Sequence, residues 1–296
     1  PAAHARGARP QPAPAGRLLA MASAGSSACS APSWSNWAGN LHYGGRVVAP
    51  HSAEEVVEVV RSATRVLAVG SGHSFLHAAG PEAPLVSRGE PPHAGRDVDV
   101  VVLDMTQHMN RVLEVDERAW SCTVEAGCKI ETIAAELERH GLALENVPSL
   151  HVVTFAGAVL TGTHGCGNSR AILAEMVQSM TIVCGDGRVR EVTDERLFVH
   201  FGMLGVVVRL KVRCVPFYRV RQRVYDDIPL PAFAARAVEA VTSAAHTQFW
   251  VEFRTGPDGR GKVLAWLRDR CGARDAAPGP EPLPGLGGGL RHEPVP

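Results

Sequence analysis

His73 is the residue whose setting most invites chemistry. It stands in Arg65-Val66-Leu67-Ala68-Val69-Gly70-Ser71-Gly72-His73-Ser74-Phe75, where an apolar run ends abruptly in two glycines and a histidine. The run is aliphatic and bounded by a turn signal, which predicts a buried strand followed by a tight loop. Two glycines around one serine let the backbone turn sharply and aim successive N–H groups at one spot. Such a nest suits a phosphate or pyrophosphate. An imidazole on its lip is a nucleophile or base within reach of the bound group. A strand ending in a Gly-rich turn, with His73 a solvated loop residue, accounts for the same letters, and a lone Gly-x-Gly does not choose.

A second window adds to the first. Asn146-Val147-Pro148-Ser149-Leu150 is followed by Thr154-Phe155-Ala156-Gly157-Ala158-Val159-Leu160-Thr161-Gly162-Thr163-His164-Gly165-Cys166-Gly167. Upstream of both lies Asn36-Trp37-Ala38-Gly39-Asn40. These three motifs, in this order, resemble the vanillyl-alcohol-oxidase superfamily of FAD enzymes. The branch they are most similar to is the sugar oxidases, which act on alditols, xylitol and aldonolactones. The resemblance runs from Trp34 to Pro216 and weakens beyond.

The resemblance implies FAD as cofactor and distributes roles. Ala68, Val69, Gly70, Ser71, Gly72, His73 and Ser74, with Thr161, Gly162, Thr163, His164 and Gly165, match small-residue loops that bring backbone close to the pyrophosphate. Ser149, Thr154 and Gly157 match positions on the flavin side. Val206 or Val207 matches a position that lays backbone against the cofactor, and Val206 reads equally as a plain core residue. His73 matches a histidine joined covalently to the flavin 8α carbon, non-covalent FAD being the alternative. For His164 a backbone-ordering or phosphate-side role is expected rather than catalysis. Some relatives attach flavin twice, through His and Cys. Their Cys lies where this chain has Leu150-His151-Val152, so single attachment is expected and Cys166 is read as a small loop residue. A nucleophilic Cys166 would need a base, and none is paired with it in sequence. Pro148 matches a position that governs oxygen access and points to an oxidase.

The function implied is hydride transfer from a C–OH of a sugar alcohol to FAD, with molecular oxygen as acceptor and hydrogen peroxide as product. An aldonolactone oxidase (L-gulono- or D-arabinono-1,4-lactone) is the alternative, and a flavin-binding polypeptide without turnover is another. A reductase of the cell-wall-precursor type shares the fold, but it uses no histidyl flavin, so His73 argues against it. The substrate is accordingly a small polyol or aldonolactone. No catalytic residue is assigned. Glu252, Arg254 and Lys262 are charged residues in the expected region, without roles.

Bulk properties narrow the field. The chain has 296 residues, and 30 basic and 30 acidic side chains cancel. Zero net charge argues against a nucleic-acid partner. No run of about 18 apolar residues exists, so no membrane-spanning helix is expected. Seven cysteines are scattered without metal-ligand spacing, which favours free, mostly buried thiols and no metal site. The first acidic residue is Glu54, after Arg6, Arg9, Arg17 and Arg46. That N-terminus is expected to be a targeting tail or sequence upstream of a start at Met21. The compartment is unassigned, with the cytoplasm favoured over an organelle. Residues 272–296 are Pro/Gly-rich and read as a disordered tail.

The elements that must position these residues follow a helix-and-strand rhythm of α+β class. Strands are expected at 46–50, 65–69, 97–104, 112–115, 120–125, 176–184, 188–192 and 206–216. Ser52 and Glu55 form a capping box for a helix with Val56, Val57, Val59 and Val60 inward. Residues 127–140 form a helix on Ile130, Ile133, Ala134 and Leu137, stopped by Gly141. Beyond 217, strands at 218–225, 249–254 and 262–268 and a helix at 231–245, with Phe233, Ala237, Val238 and Val241 inward, resemble the start of a substrate-covering cap. The expected organisation is a tail at 1–33, an FAD-binding domain at 34–216 divided near Asp104 into subdomains 34–104 and 105–216, a partial cap at 217–271, and the 272–296 tail.

Overall fold

The computed structural model describes residues 33–44, 46–74, 100–168, 172–253, 261–271 and 289–290. Strands β1 (Ser33–Ser35) and β2 (His42–Gly44) form an antiparallel ribbon around the Asn36 loop. Then come β3 (Arg46–Val48), helix α1 (Ala53–Ser62), β4 (Arg65–Val69) and β5 (Val100–Asp104). The three strands are parallel in the order β3-β5-β4. Ser52 caps α1 by accepting the Glu55 N–H at 3.3 Å. The Glu55 carboxylate accepts the His51 N–H at 2.9 Å, one residue upstream of the predicted box partner. Val56 and Val59 are buried, while Val57 and Val60 are half-buried. Central β5 carries buried Val101, Val102 and Leu103. By contrast β4 was expected to be buried, yet none of its residues is fully so, and Ala68 is exposed. Among the described residues β4 has one neighbouring strand, and an edge strand keeps one flank open.

The second layer is antiparallel. Strands β6 (Val112–Asp116) and β7 (Ser121–Glu125), both expected, pair as a hairpin, and Asp116 Oδ1 accepts the Arg118 and Ala119 N–H groups in its turn. Helix α2 (Ile130–Arg139) starts three residues after the predicted Gly127. Gly127 is held elsewhere: its N–H bonds Met109 O, and a Cβ there would overlap Met105 O. Ile130, Ile133 and Leu137 face inward, but Ala134 faces solvent. After β8 (Leu142–Ala143) and α3 (Phe155–Leu160), strands β9 (Val177–Val183), β10 (Val189–Val192) and β11 (Val206–Arg213) complete a sheet of order β10-β9-β11-β7-β6. The strand predicted to run to Pro216 breaks at Cys214, and β12 (Val215–Pro216) pairs with β8 instead. One continuous apolar core joins the two layers, from Val56 through Val101 and Phe155 to Val212 and Cys214. Burial of such side chains, each worth about 1.5–3 kcal/mol, is what holds the two layers together.

A separate small core lies C-terminal. Strand β13 (Arg219–Pro229) is longer than predicted and bulges between Tyr225 and Ile228. It leads into α4 (Leu230–Ala235), α5 (Ala237–Val241), β14 (His246–Glu252), β15 (Lys262–Cys271) and β16 (Gly289–Leu290), in a sheet of order β14-β15-β13-β16. The single helix predicted over 231–245 is two short ones broken at Arg236. The break rotates the inward face, so Ala240 and Ala244 are buried while Val238 and Val241 are exposed. Of the tail read as disordered, Gly289 and Leu290 pair with β13, whose open flank offers backbone bonds regardless of side chain. The rest of the tail, the N-terminal tail, residues 97–99 and Arg254 lie outside the described residues. No helix among the described residues is long and apolar enough to cross a membrane.

Candidate functional site

The loop after β4 is clasped by the Asn36 loop. Asn36 is buried at 3% exposure. Its Oδ1 accepts the Asn40 and Leu41 N–H groups, and its Nδ2 donates to Asn40 Oδ1 at 2.7 Å and to Ser74 O at 2.9 Å. The next N–H, of Trp37, donates to Gly72 O at 2.8 Å. The Trp37 indole stacks on His73, with ring centroids 5.3 Å apart and planes 16° apart. Gly72 has φ +69°, and a Cβ there would press on Trp34 and on the backbone of Asn36 and Trp37. Glycine is therefore required twice over, by conformation and by space. On the other side, Ser71 Oγ donates to Val152 O at 2.9 Å, and Gly70 abuts Thr154 so closely that a Cβ would overlap its Oγ1.

Thr154 is the cap residue of α3 and is buried, and Gly157 lies against the same Oγ1. The helix is short because the chain turns at once. Thr161 Oγ1 donates to Gly157 O at 3.0 Å, Gly162 adopts φ +67°, and the Thr163 N–H returns to Ala158 O. His164 Nδ1–H donates to Gly165 O at 2.8 Å. Gly165 packs on Asn146, whose Oδ1 accepts the Gly167 N–H at 3.1 Å.

Thus the Asn36 loop and the 152–157 stretch both hold 68–74, and 161–167 follows 152–157 through α3, so parts of all three motifs singled out in the sequence are linked. Ser149 is exposed and joins none of them by a hydrogen bond among the described residues. Val206 follows Gly205, whose Cβ would overlap Val183 O, and its own side chain is buried in the core. Among the described residues, the N–H groups of Ser71, Gly72 and His73, and of His164, Gly165 and Cys166, donate to no protein acceptor. Two loops of half-exposed amides with no internal partner are a donor set for a pyrophosphate, and the residues present fit that group.

Several participants were not read from the sequence. Cys166 Sγ accepts from Arg268 Nη1 at 3.6 Å, and Arg268 also donates to Gln222 and Gln248, so one guanidinium ties three strands to the second loop. Asn168 Nδ2 donates to Val241 O and Ala244 O, and the Thr247 N–H donates to Cys166 O. Burial, then Arg270 and Arg268, lowers the pKa of His246, which lies against Gly167. Burial also lowers that of His200. The Leu204 N–H points at His200 Nδ1, and the buried Nε2 has no partner among the described residues. Away from the loops, the Cys214 sulfur and burial push the Cys122 thiol up, and burial raises Cys128 to about 12, so neither is a nucleophile at neutral pH. Lys262, one of the charged residues noted in the cap, pairs with Asp227 at 2.9 Å.

An α+β scaffold with two glycine-punctuated loops of open amides defines a phosphate-cradling, dinucleotide-binding class of protein. The chain belongs to the FAD binding domain family, which matches residues 45–193. Its cofactor is FAD. Among curated relatives, alditol oxidase from Streptomyces sp. (strain IKD472 / FERM P-14339) is 32% identical over 268 residues, 85% of this chain and 59% of that protein. L-gulonolactone oxidase from Bos taurus is 33% identical over 60% of this chain and 39% of its own. The chain thus spans no more than about three fifths of the length of these relatives. Among solved structures, cholesterol oxidase from Brevibacterium sterolicum shares the fold with a TM-score of 0.66, at 19% identity, over 81% of this chain and 48% of its own. These similarities agree with the superfamily that the three motifs resembled.

Proposed function

We propose that the chain is an FAD-dependent oxidase of a small polyol, transferring hydride from a C–OH carbon to flavin and passing the electrons to molecular oxygen to give hydrogen peroxide. The observation that carries the polyol reading is the reach of the alditol oxidase similarity. It covers 85% of the chain, into the β13–β15 sheet, whereas the gulonolactone oxidase similarity covers 60%. The aldonolactone reading stays as the second, supported by an L-gulono-1,4-lactone dehydrogenase from Mycobacterium tuberculosis, 32% identical over 74% of the chain.

FAD, when bound, supplies the two-electron acceptor; the protein supplies placement. In this reading the amides of Ser71, Gly72, His73, His164, Gly165 and Cys166 hold the pyrophosphate. Thr154 and Gly157 keep the two loops at contact distance, and Gly205 lets the backbone before Val206 pass close to its neighbour strand. His73 is the point of covalent attachment. Residues 34–104 and 105–216 act as the two subdomains that hold the cofactor, and 217–271 covers the substrate side. Peroxide release from xylitol, sorbitol and L-gulono-1,4-lactone, measured side by side, tests the substrate class. Turnover confined to the polyols is expected, and turnover of the lactone alone selects the second reading.

A further inference from the structure

We propose that Trp37 is a positioning residue for the covalent attachment of FAD to His73, an inference that rests on the flavin reading above. A histidine ring turns about its last side-chain torsion in a broad, two-fold well, so an unrestrained His73 would present its nitrogens over a wide arc. The Trp37 indole restricts it by covering one face of the imidazole at 5.3 Å with planes 16° apart. Covering a face leaves the ring edge open, and the lone pair that attacks carbon lies in the plane at that edge. The indole is 70% exposed and contributes little to the core.

The indole is fixed by its backbone. The Trp37 N–H bonds Gly72 O, and Asn36 Nδ2 bonds Ser74 O, so the Asn36 loop grips the histidine's chain on both sides. Gly72, at φ +69°, lets His73 stand next to that grip. Attachment removes the imidazole N–H hydrogen and one C–H hydrogen of the flavin 8-methyl group, and forms one N–C bond. The two electrons are taken up by the isoalloxazine itself, and dioxygen then removes them with two protons, giving hydrogen peroxide, so air restores the oxidised flavin after the bond has formed.

The test uses the full chain made under riboflavin limitation and then given FAD in air. Total bound flavin is read from absorbance, and covalent flavin from fluorescence of the denatured chain on a gel and from its intact mass. In Trp37→Ala, attachment should be about ten-fold slower, the size expected when a near-attack orientation is lost. FAD affinity should stay within about three-fold of the parent, as for an exposed side chain outside the core. Trp37→Phe, which keeps a stacking face, should attach nearly as fast as the parent. Attachment in Trp37→Ala at the parent's rate overturns the proposal while leaving covalent attachment intact. Loss of bound and attached flavin in equal measure overturns it too, since that makes Trp37 structural. A parent that never attaches flavin removes the covalent reading, and the role of Trp37 with it.

Discussion

At the residue scale, the candidate site is governed by glycines whose hydrogen atoms other groups depend on. Gly70 has no room for a methyl group against Thr154 Oγ1. Gly70→Ala should cost about 1–3 kcal/mol by overpacking and weaken FAD binding. Adding Thr154→Ala, which removes the obstructing oxygen, should recover part of that loss. A double-mutant cycle on thermal unfolding and FAD affinity checks it, and simple additivity would separate the two positions. Gly162 differs: space is ample, but φ +67° disfavours any β-branched residue. His200 provides a pH signature. Burial depresses its folded pKa below the ordinary 6.5, so the unfolded chain takes up the proton first. The contribution is present above the unfolded value and is lost as pH falls through the folded one. The melting temperature should therefore drop as pH falls below the ordinary histidine value of 6.5, and His200→Leu should flatten the drop, with His246, shifted the same way, keeping some of it. An unchanged pH slope in His200→Leu would rule the residue out as its source.

At the element scale, local chemistry was legible and non-local chemistry was not. The Ser52 cap, the β6–β7 hairpin, the β9–β10 hairpin and the 3.6-residue spacing of α2 all follow from near neighbours and appear in the sequence. The break at Arg236, the exposure of β4 and the partner switch at Cys214 depend on what packs across from them, which spacing alone does not encode. The site divides the same way. Gly-Ser-Gly-His and Thr-Gly-Thr-His-Gly announce turns by residue type. That Asn36 bonds Ser74, or that Arg268 reaches Cys166 over 102 positions, requires the fold. Asn168 belongs to this hidden class. Its side chain bonds Val241 O and Ala244 O, tying the second loop to the end of α5. Asn168→Ala should cost about 1–2 kcal/mol of stability and loosen FAD binding more than Asn110→Ala, whose bonds stay within its own turn. Calorimetry with and without FAD measures both.

At the scale of the whole molecule, two cores are joined across the loop at 161–168. The larger core lies between Val56 and Cys214 and includes no residue of the C-terminal sheet. The loop at 161–168, by contrast, is tied to Val241, Ala244, Ala245 and Thr247, and to Arg268. A chain ending after Pro216 should thus unfold cooperatively yet bind FAD about ten-fold more weakly, the ordering of that loop having become a cost of binding. Equal affinity in the two forms would show that the loop organises itself.

The central claim is that the loops after β4 and α3 form one FAD cradle with His73 at its covalent point. Acid precipitation of the purified full chain tests it most directly. Flavin fluorescence should stay with the precipitated protein and migrate with it on a denaturing gel. In His73→Ala it should pass entirely into the supernatant, while the native variant still binds FAD. Flavin released from the parent by acid, or retained by His73→Ala, would contradict the account.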